Sequence, residues 1–145
     1  MSFMKSMEIS SSGLTAQRMR MDVIAENLAN INTTRTADGT TYQRRYVIMQ
    51  QRGKTMTTFG DYLQTAIHDV GGRGVSVTEV RADETDFKIQ YDPDHPDADE
   101  FGYVQMPNVD LAVEMVDLMG ATRSYEANVT ALNAFKSMAL KALEI

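Results

Sequence analysis

With 145 residues, a formal charge of −6 and acids and bases interspersed, the chain is sized for one ordinary domain with a real core. That charge argues against nucleic acid or an anionic membrane surface as the main partner. The absence of cysteine excludes disulfides and thiolate metal sites, and no apolar run approaches the roughly 18 residues of a membrane span.

The N-terminal stretch MSFMKSMEISSSGL lacks the apolar centre and small-residue cleavage site of a secretory signal, so any export is expected to take another route. Met7, Leu14, Met21 and Leu28 recur every seven positions, which predicts a helix. Phe3, Ile24 and Ile31 lie on the adjacent row, but Ser10 and Gln17 interrupt it, so the stripe is narrow in its middle. The spacing predicts a helix over Thr15–Asn30. The run Ser10-Ser11-Ser12-Gly13 is poor helix sequence, so residues 2–12 are expected to be helical only if something packs on them. Otherwise Ser12 or Thr15 caps a new helix. Three asparagines, Asn27, Asn30 and Asn32, mark the helix end. They read either as ordinary C-terminal caps or as amides that also hydrogen-bond a neighbouring helix.

Between Arg35 and Pro107 the pattern changes. All three prolines and seven of the nine glycines lie here. Thr36–Thr40 is a turn by composition. Tyr42–Gln51 reads as a strand, Phe59–Asp69 as a short helix or loop, and Gly71–Gly74 as a breaker. Val75–Arg81 alternates as a strand, and so do Phe87, Ile89 and Tyr91 after the polar turn Ala82–Thr85. Three strands alone are marginal, so this module is expected to lean on the helices or on another subunit. The acidic stretch Asp92–Glu100 lacks the ligand spacing of a calcium loop, and Pro93 and Pro96 stiffen it. It reads as a solvated turn. His68 beside Asp69 has no nucleophile to pair with. Without a nucleophile elbow or a phosphate loop, neither an enzyme nor a cofactor or metal site is expected.

Asn108–Ile145 contains no proline and carries Leu111, Leu118, Tyr125, Leu132 and Ala139 at a period of seven. Ala121, Phe135 and Ala142 widen the stripe on one side, Met115, Val129 and Leu143 on the other. The row from Val116 through Arg123, Thr130, Ser137 and Glu144 turns polar. A sustained heptad favours winding around a partner. Eight of the eleven methionines fall within residues 1–21 and 115–138, and methionine adapts to non-identical neighbours. The expected architecture is α+β: two long terminal helices with heptad seams that pair as a coiled coil, flanking a small β-rich insert. The divisions fall at residues 1–33, 34–107 and 108–145. The candidate assembly interface comprises Met7, Leu14, Met21, Ile24, Asn27, Leu28 and Asn30 on the first helix. The second contributes Leu111, Met115, Leu118, Tyr125, Leu132 and Phe135.

The run DVIAENLANINTTRTADGTTYQRR resembles the N-terminal signature of the bacterial flagellar axial proteins, which form rod, hook and hook–filament junction. DPDHPDADEFGYVQMPNVD and SYEANVTALNAFKSMALKALEI are similar to segments of its proximal-rod members. The resemblance extends over most of the chain apart from about residues 51–74. It implies a non-enzymatic building block in the basal-body rod, within the periplasmic space. Paired terminal helices would line an inner tube, with the insert facing outward. The implied partners are other rod proteins, the adaptor between ring and rod, neighbouring copies and, during secretion, the flagellar type III export apparatus. A needle-like component of a related secretion system and a free-standing coiled-coil scaffold are the competing readings.

Overall fold

The computed structural model describes residues 3–53, 58–59 and 73–144. Helices α1 (Phe3–Ala29) and α2 (Leu111–Leu143) flank four short strands: β1 (Arg45–Gln51), β2 (Val75–Ala82), β3 (Lys88–Tyr91) and β4 (Tyr103–Met106). The strands form two separate antiparallel pairs, β1 with β2 and β3 with β4. The α+β class is thus present. Most of the Phe59–Asp69 reading, including His68, lies outside the described residues.

Helix α1 runs unbroken through the serine run because the first sheet and the second helix pack against it at Ser12 and Gly13. Ser10 and Ser12 are buried. Ser12 Oγ donates to Ile9 O at 2.7 Å and accepts from Val75 N at 3.1 Å, which fastens the first sheet to the helix. Gly74 sits beside this contact at φ +78°, and a side chain there would run into Ser12 Oγ. A Cβ at Gly13 would lie 3.1 Å from the Asn128 amide, so Gly13 marks the closest approach to α2. The helix ends where Asn30 Nδ2 returns to Glu26 O at 2.9 Å and Thr33 N to Asn30 O at 3.0 Å. That is the C-terminal cap anticipated for Asn30.

Helix α2 begins at Leu111, the first member of the heptad row and three residues into the stretch Asn108–Ile145. Asp110 is its N-cap and accepts from Ala112 N at 2.9 Å and Val113 N at 3.2 Å. The helices lie antiparallel. Asn27 meets Glu114, Arg20 meets Asp117, Met21 meets Thr122, and Gly13 meets Asn128. No helix among the described residues is long and apolar enough to cross a membrane.

The insert departs from expectation in three places. Strand β1 starts at Arg45 and not Tyr42, because Tyr42, Gln43 and Arg44 are committed to side-chain bonds described below. Strands β2 and β3, although neighbours in sequence, do not pair with each other. A fourth strand, β4, completes the second sheet, so Asp92–Gly102 is the loop of the β3–β4 hairpin. Tyr91 and Tyr103 face each other there edge to face at 5.3 Å between ring centroids. Gly102, at φ +81°, fits where a Cβ would press on the Tyr91 ring.

The buried apolar residues are few and mostly small: Ala16, Val23, Ile24, Tyr42, Val104, Val109 and Ala121. Ser10, Ser12, Asn27 and Glu114 are buried with them. The heptad leucines and methionines are not among them.

A polar junction and a candidate assembly face

Three elements meet at one buried polar corner. Asn27, near the end of α1, is fully buried. Its amide pairs with the backbone of Arg45 in both directions. Nδ2 donates to Arg45 O at 2.8 Å, and Oδ1 accepts from Arg45 N at 2.9 Å. Asn27 Oδ1 also accepts from the Tyr42 hydroxyl at 2.9 Å. Nδ2 reaches across to Glu114 Oε2 on α2 at 3.1 Å. One side chain therefore ties α1 to α2 and to the first residue of β1. Of the two readings of the asparagine cluster, Asn30 serves the first and Asn27 the second.

Glu114 is 0% exposed. A buried carboxylate requires a charged or hydrogen-bonding partner, and Arg44 supplies one through Nε at 2.6 Å. Arg44 also reaches Asp83 at 3.2 Å and Asp117 at 3.7 Å, and Asp117 receives Arg20 at 3.1 Å. Burial opposes the Arg44 charge. The hydrogen bond and charge of Glu114, with those of Asp83, outweigh it and hold the guanidinium above its ordinary value. Burial first, then the Glu26 carboxylate, pushes the Tyr42 phenol up, so it serves as a neutral donor. The Thr85 backbone N–H is the main cause that holds Asp83 below the ordinary carboxylate value. Asn108 closes the corner. Its Oδ1 accepts from Arg44 N at 2.8 Å, and its Nδ2 donates to Asp83 O at 3.0 Å and Thr85 Oγ1 at 2.9 Å.

The candidate interface residues divide between this corner and the opposite side. Ile24 and Asn27 are buried, and Asn30 caps α1. Met7, Leu14, Met21 and Leu28 form a half-buried row along α1. Met21 Sδ accepts from Thr122 Oγ1 at 3.6 Å, so the row borders α2 on its Leu118–Thr122–Val129 side. Leu118, Tyr125, Leu132 and Phe135 are half-buried, while Leu111 and Met115 are 55% and 51% exposed. Those two line a surface groove of about 950 Å³ with Ile31, Ile89 and Tyr91. Arg44, Glu114, Asp83 and Asn108 escaped the sequence reading. A glutamate in the first turn of a helix is ordinary, since the helix dipole favours it there.

The acidic loop spends its carboxylates on the chain itself. Asp99 Oδ1 accepts from Phe101 N at 2.9 Å and Tyr103 N at 2.8 Å. Asp97 takes the Thr34 hydroxyl at 2.8 Å and faces Arg35 at 3.7 Å. Among the described residues there is no cluster of three or more acids or histidines placed to hold a metal ion.

Two family models match: "Flagella basal body rod protein" over residues 7–35, and "Flagellar basal body rod FlgEFG protein C-terminal" over residues 101–145. The chain is 49% identical to the flagellar basal-body rod protein FlgC of Bacillus subtilis over 146 residues, which span 97% of this chain and 95% of that protein. It is 43% identical to the FlgC of Borreliella burgdorferi over 149 residues, spanning 100% and 98%. Against the Salmonella typhimurium FlgC it is 38% identical over 145 residues, again spanning 100% and 98%. With such relatives alongside nearly its whole length, the chain belongs to the FlgC family of flagellar basal-body rod proteins.

Proposed function

We propose that the chain is a structural subunit of the flagellar basal-body rod and holds its neighbours through the open face of its helix pair. One observation carries this reading. The heptad-row side chains of both helices are only partly buried in the single chain, and Leu111, Met115, Met119, Met138, Leu140 and Leu143 stand exposed on α2, while the buried helix residues are mostly small or polar. Exposed apolar rows of this extent mark a surface to be covered by protein. Neighbouring helices with similar rows would cover it, and the subunits would polymerise into the wall of a tube that carries torque outside and cargo within. The neighbours would be copies of this chain, other rod proteins and the ring-to-rod adaptor. The subunit would reach the periplasmic space through the flagellar type III export apparatus. Its role is that of a building block and not a catalyst.

The test uses the bacterium that encodes the chain. Deleting the gene should abolish swimming, and the parent gene should restore it. Leu118→Asp places a carboxylate on the open face without touching the N-terminal helix, so export should continue while rod assembly and swimming fail. Normal swimming with Leu118→Asp would remove α2 from the assembly surface.

A further inference from the structure

We propose that Asn27, Arg44 and Glu114 are positioning residues: they set the angle at which the β1–β2 sheet leaves the helix pair, and orientation, not stability, is what their burial secures. A buried ion pair loses hydration on both charges. Apolar side chains of similar volume hold a fold equally well or better. Apolar packing is non-directional, however, and holds two surfaces together without fixing the angle between them. Asn27 grips both backbone groups of Arg45, and Glu114 grips Asn27 and Arg44 from the other helix. Each of these bonds has a preferred direction and length, so together they define how α1, α2 and β1 meet.

The rest of the sheet's attachment leaves that role open. Among the described residues, a second polar fastening to α1 is the Ser12–Val75 contact, supported by an exposed Arg52–Glu8 ion pair at 3.2 Å. Along the helix, Ser12 and Asn27 lie about 22 Å apart at about 1.5 Å per residue. The seven residues of β1 run nearly the same length, roughly 20 Å at 3.4 Å per step. The sheet is therefore held to α1 at both ends, and the hydrogen bonds and ion pairs given for the described residues join it to α2 at the Asn27 end. Without that bond the sheet, still held to α1 at both ends, can rotate relative to α2 about the line through its two α1 attachments. Repeated subunits in an ordered assembly must each present the insert at one angle, so loss of this bond would disrupt assembly in chains that remain folded.

The chain has no cysteine, so paired spin labels can be placed at Thr78→Cys on β2 and Glu126→Cys on α2, both exposed positions. Pulsed electron resonance then measures the distance between sheet and helix. The variant is Arg44→Leu combined with Glu114→Met. It is expected to unfold at about the parent's temperature, while the width of its label-distance distribution at least doubles and swimming is lost. A variant that fails to fold would overturn the proposal, because the junction would then be a stability element. A folded variant with the parent's narrow distance would overturn it equally. Only the swimming measurement rests on the rod reading. If the parent gene itself fails to restore swimming, that reading falls, and the label distances still decide this one.

Discussion

The two sides of the helix pair are built from opposite materials. Where α1 meets α2 and the first sheet stand Ser12, Gly13, Ala16, Asn27, Glu114 and Ala121, small or polar and nearly all buried. Away from that contact Leu111, Met115, Met119 and Leu140 stand more than half exposed on α2, while the heptad residues Met7, Leu14, Met21, Leu28, Leu118 and Leu132 are only partly buried. In a chain that works alone, the large apolar residues would be inside. On the function proposed above, the open apolar area serves contacts between chains, while contacts within the chain combine close approach and directed hydrogen bonds with the buried Val23 and Ile24. The single chain is thus specified in shape more strongly than it is stabilised.

The largest effect should come from breaking the polar side. Glu114→Ala removes one partner of a buried ion pair and leaves Arg44 and Asn27 with unmet bonds. The expected loss is about 3–5 kcal/mol, read from denaturant unfolding of the purified chain. A loss near zero would show that water enters the corner and that it is not truly buried. The contrast with the open side is direct. Leu118→Asp, which should abolish swimming, is expected to cost the isolated chain only about 1–2 kcal/mol, since a half-exposed leucine gives up only part of its full burial energy. If the two variants destabilise the isolated chain equally, the division between inner and outer faces fails.

Gly13 tests the closeness of the helices more gently. Alanine there gains about 1 kcal/mol of helix propensity, but its Cβ would lie 3.1 Å from the Asn128 amide. Asn128 is anchored to Ser124 O at 2.8 Å and must move by a few tenths of an ångström. The two effects oppose each other, so Gly13→Ala should change the unfolding free energy by less than about 1 kcal/mol. A larger loss would mean that the helix crossing is rigid at this point.

How much of this was legible follows from the same division. Heptad rows of large residues announce themselves, so the helix over Thr15–Asn30 and the long C-terminal helix were readable. Alternation revealed β1, β2 and β3. Strand β4 was not legible because Tyr103-Val104-Gln105-Met106 shows no clean apolar/polar alternation and sits between a hairpin loop and Pro107. The strand pairing was not legible either. The short turn after β2 implies a hairpin with β3, yet Asn108 and Arg44 bind the turn residues Asp83 and Thr85 and keep the sheets apart. The junction was the hardest part to foresee. Its members are ordinary residues of caps, turns and helix starts, and their role appears only when residues 27, 44 and 114 come together. Ser10 to Gly13 looked like a weakness because propensity counts only local energies, whereas sheet and helix supply the compensation here.

The smallest expected effect is one of pH, and it separates the rim of the corner from its inside. Asp83 and Asp110 are held below the ordinary carboxylate value of 3.8, first by the backbone N–H groups of Thr85 and Val113 respectively. A depressed value in the fold means that the ionised form is favoured there. Each group therefore contributes stability that is fully present above the unfolded value and is lost as pH falls through the folded one. Tyr42 has the opposite sign. Burial raises its phenol above 10.0, so its contribution is present below that value and is lost as pH rises through the higher folded one. From these groups the thermal midpoint should be level between about pH 5 and 9, falling at both ends. Asp110 is largely solvent-accessible, so added salt should weaken its share of the acid limb. Asp110→Asn retains a good N-cap and should flatten part of the acid decline with little change at neutral pH. Tyr42→Phe should abolish Tyr42's share of the alkaline decline and lower the midpoint throughout, because Asn27 Oδ1 loses the phenol hydrogen bond. An alkaline limb unchanged by Tyr42→Phe would place the titrating group elsewhere and leave the junction without its neutral donor.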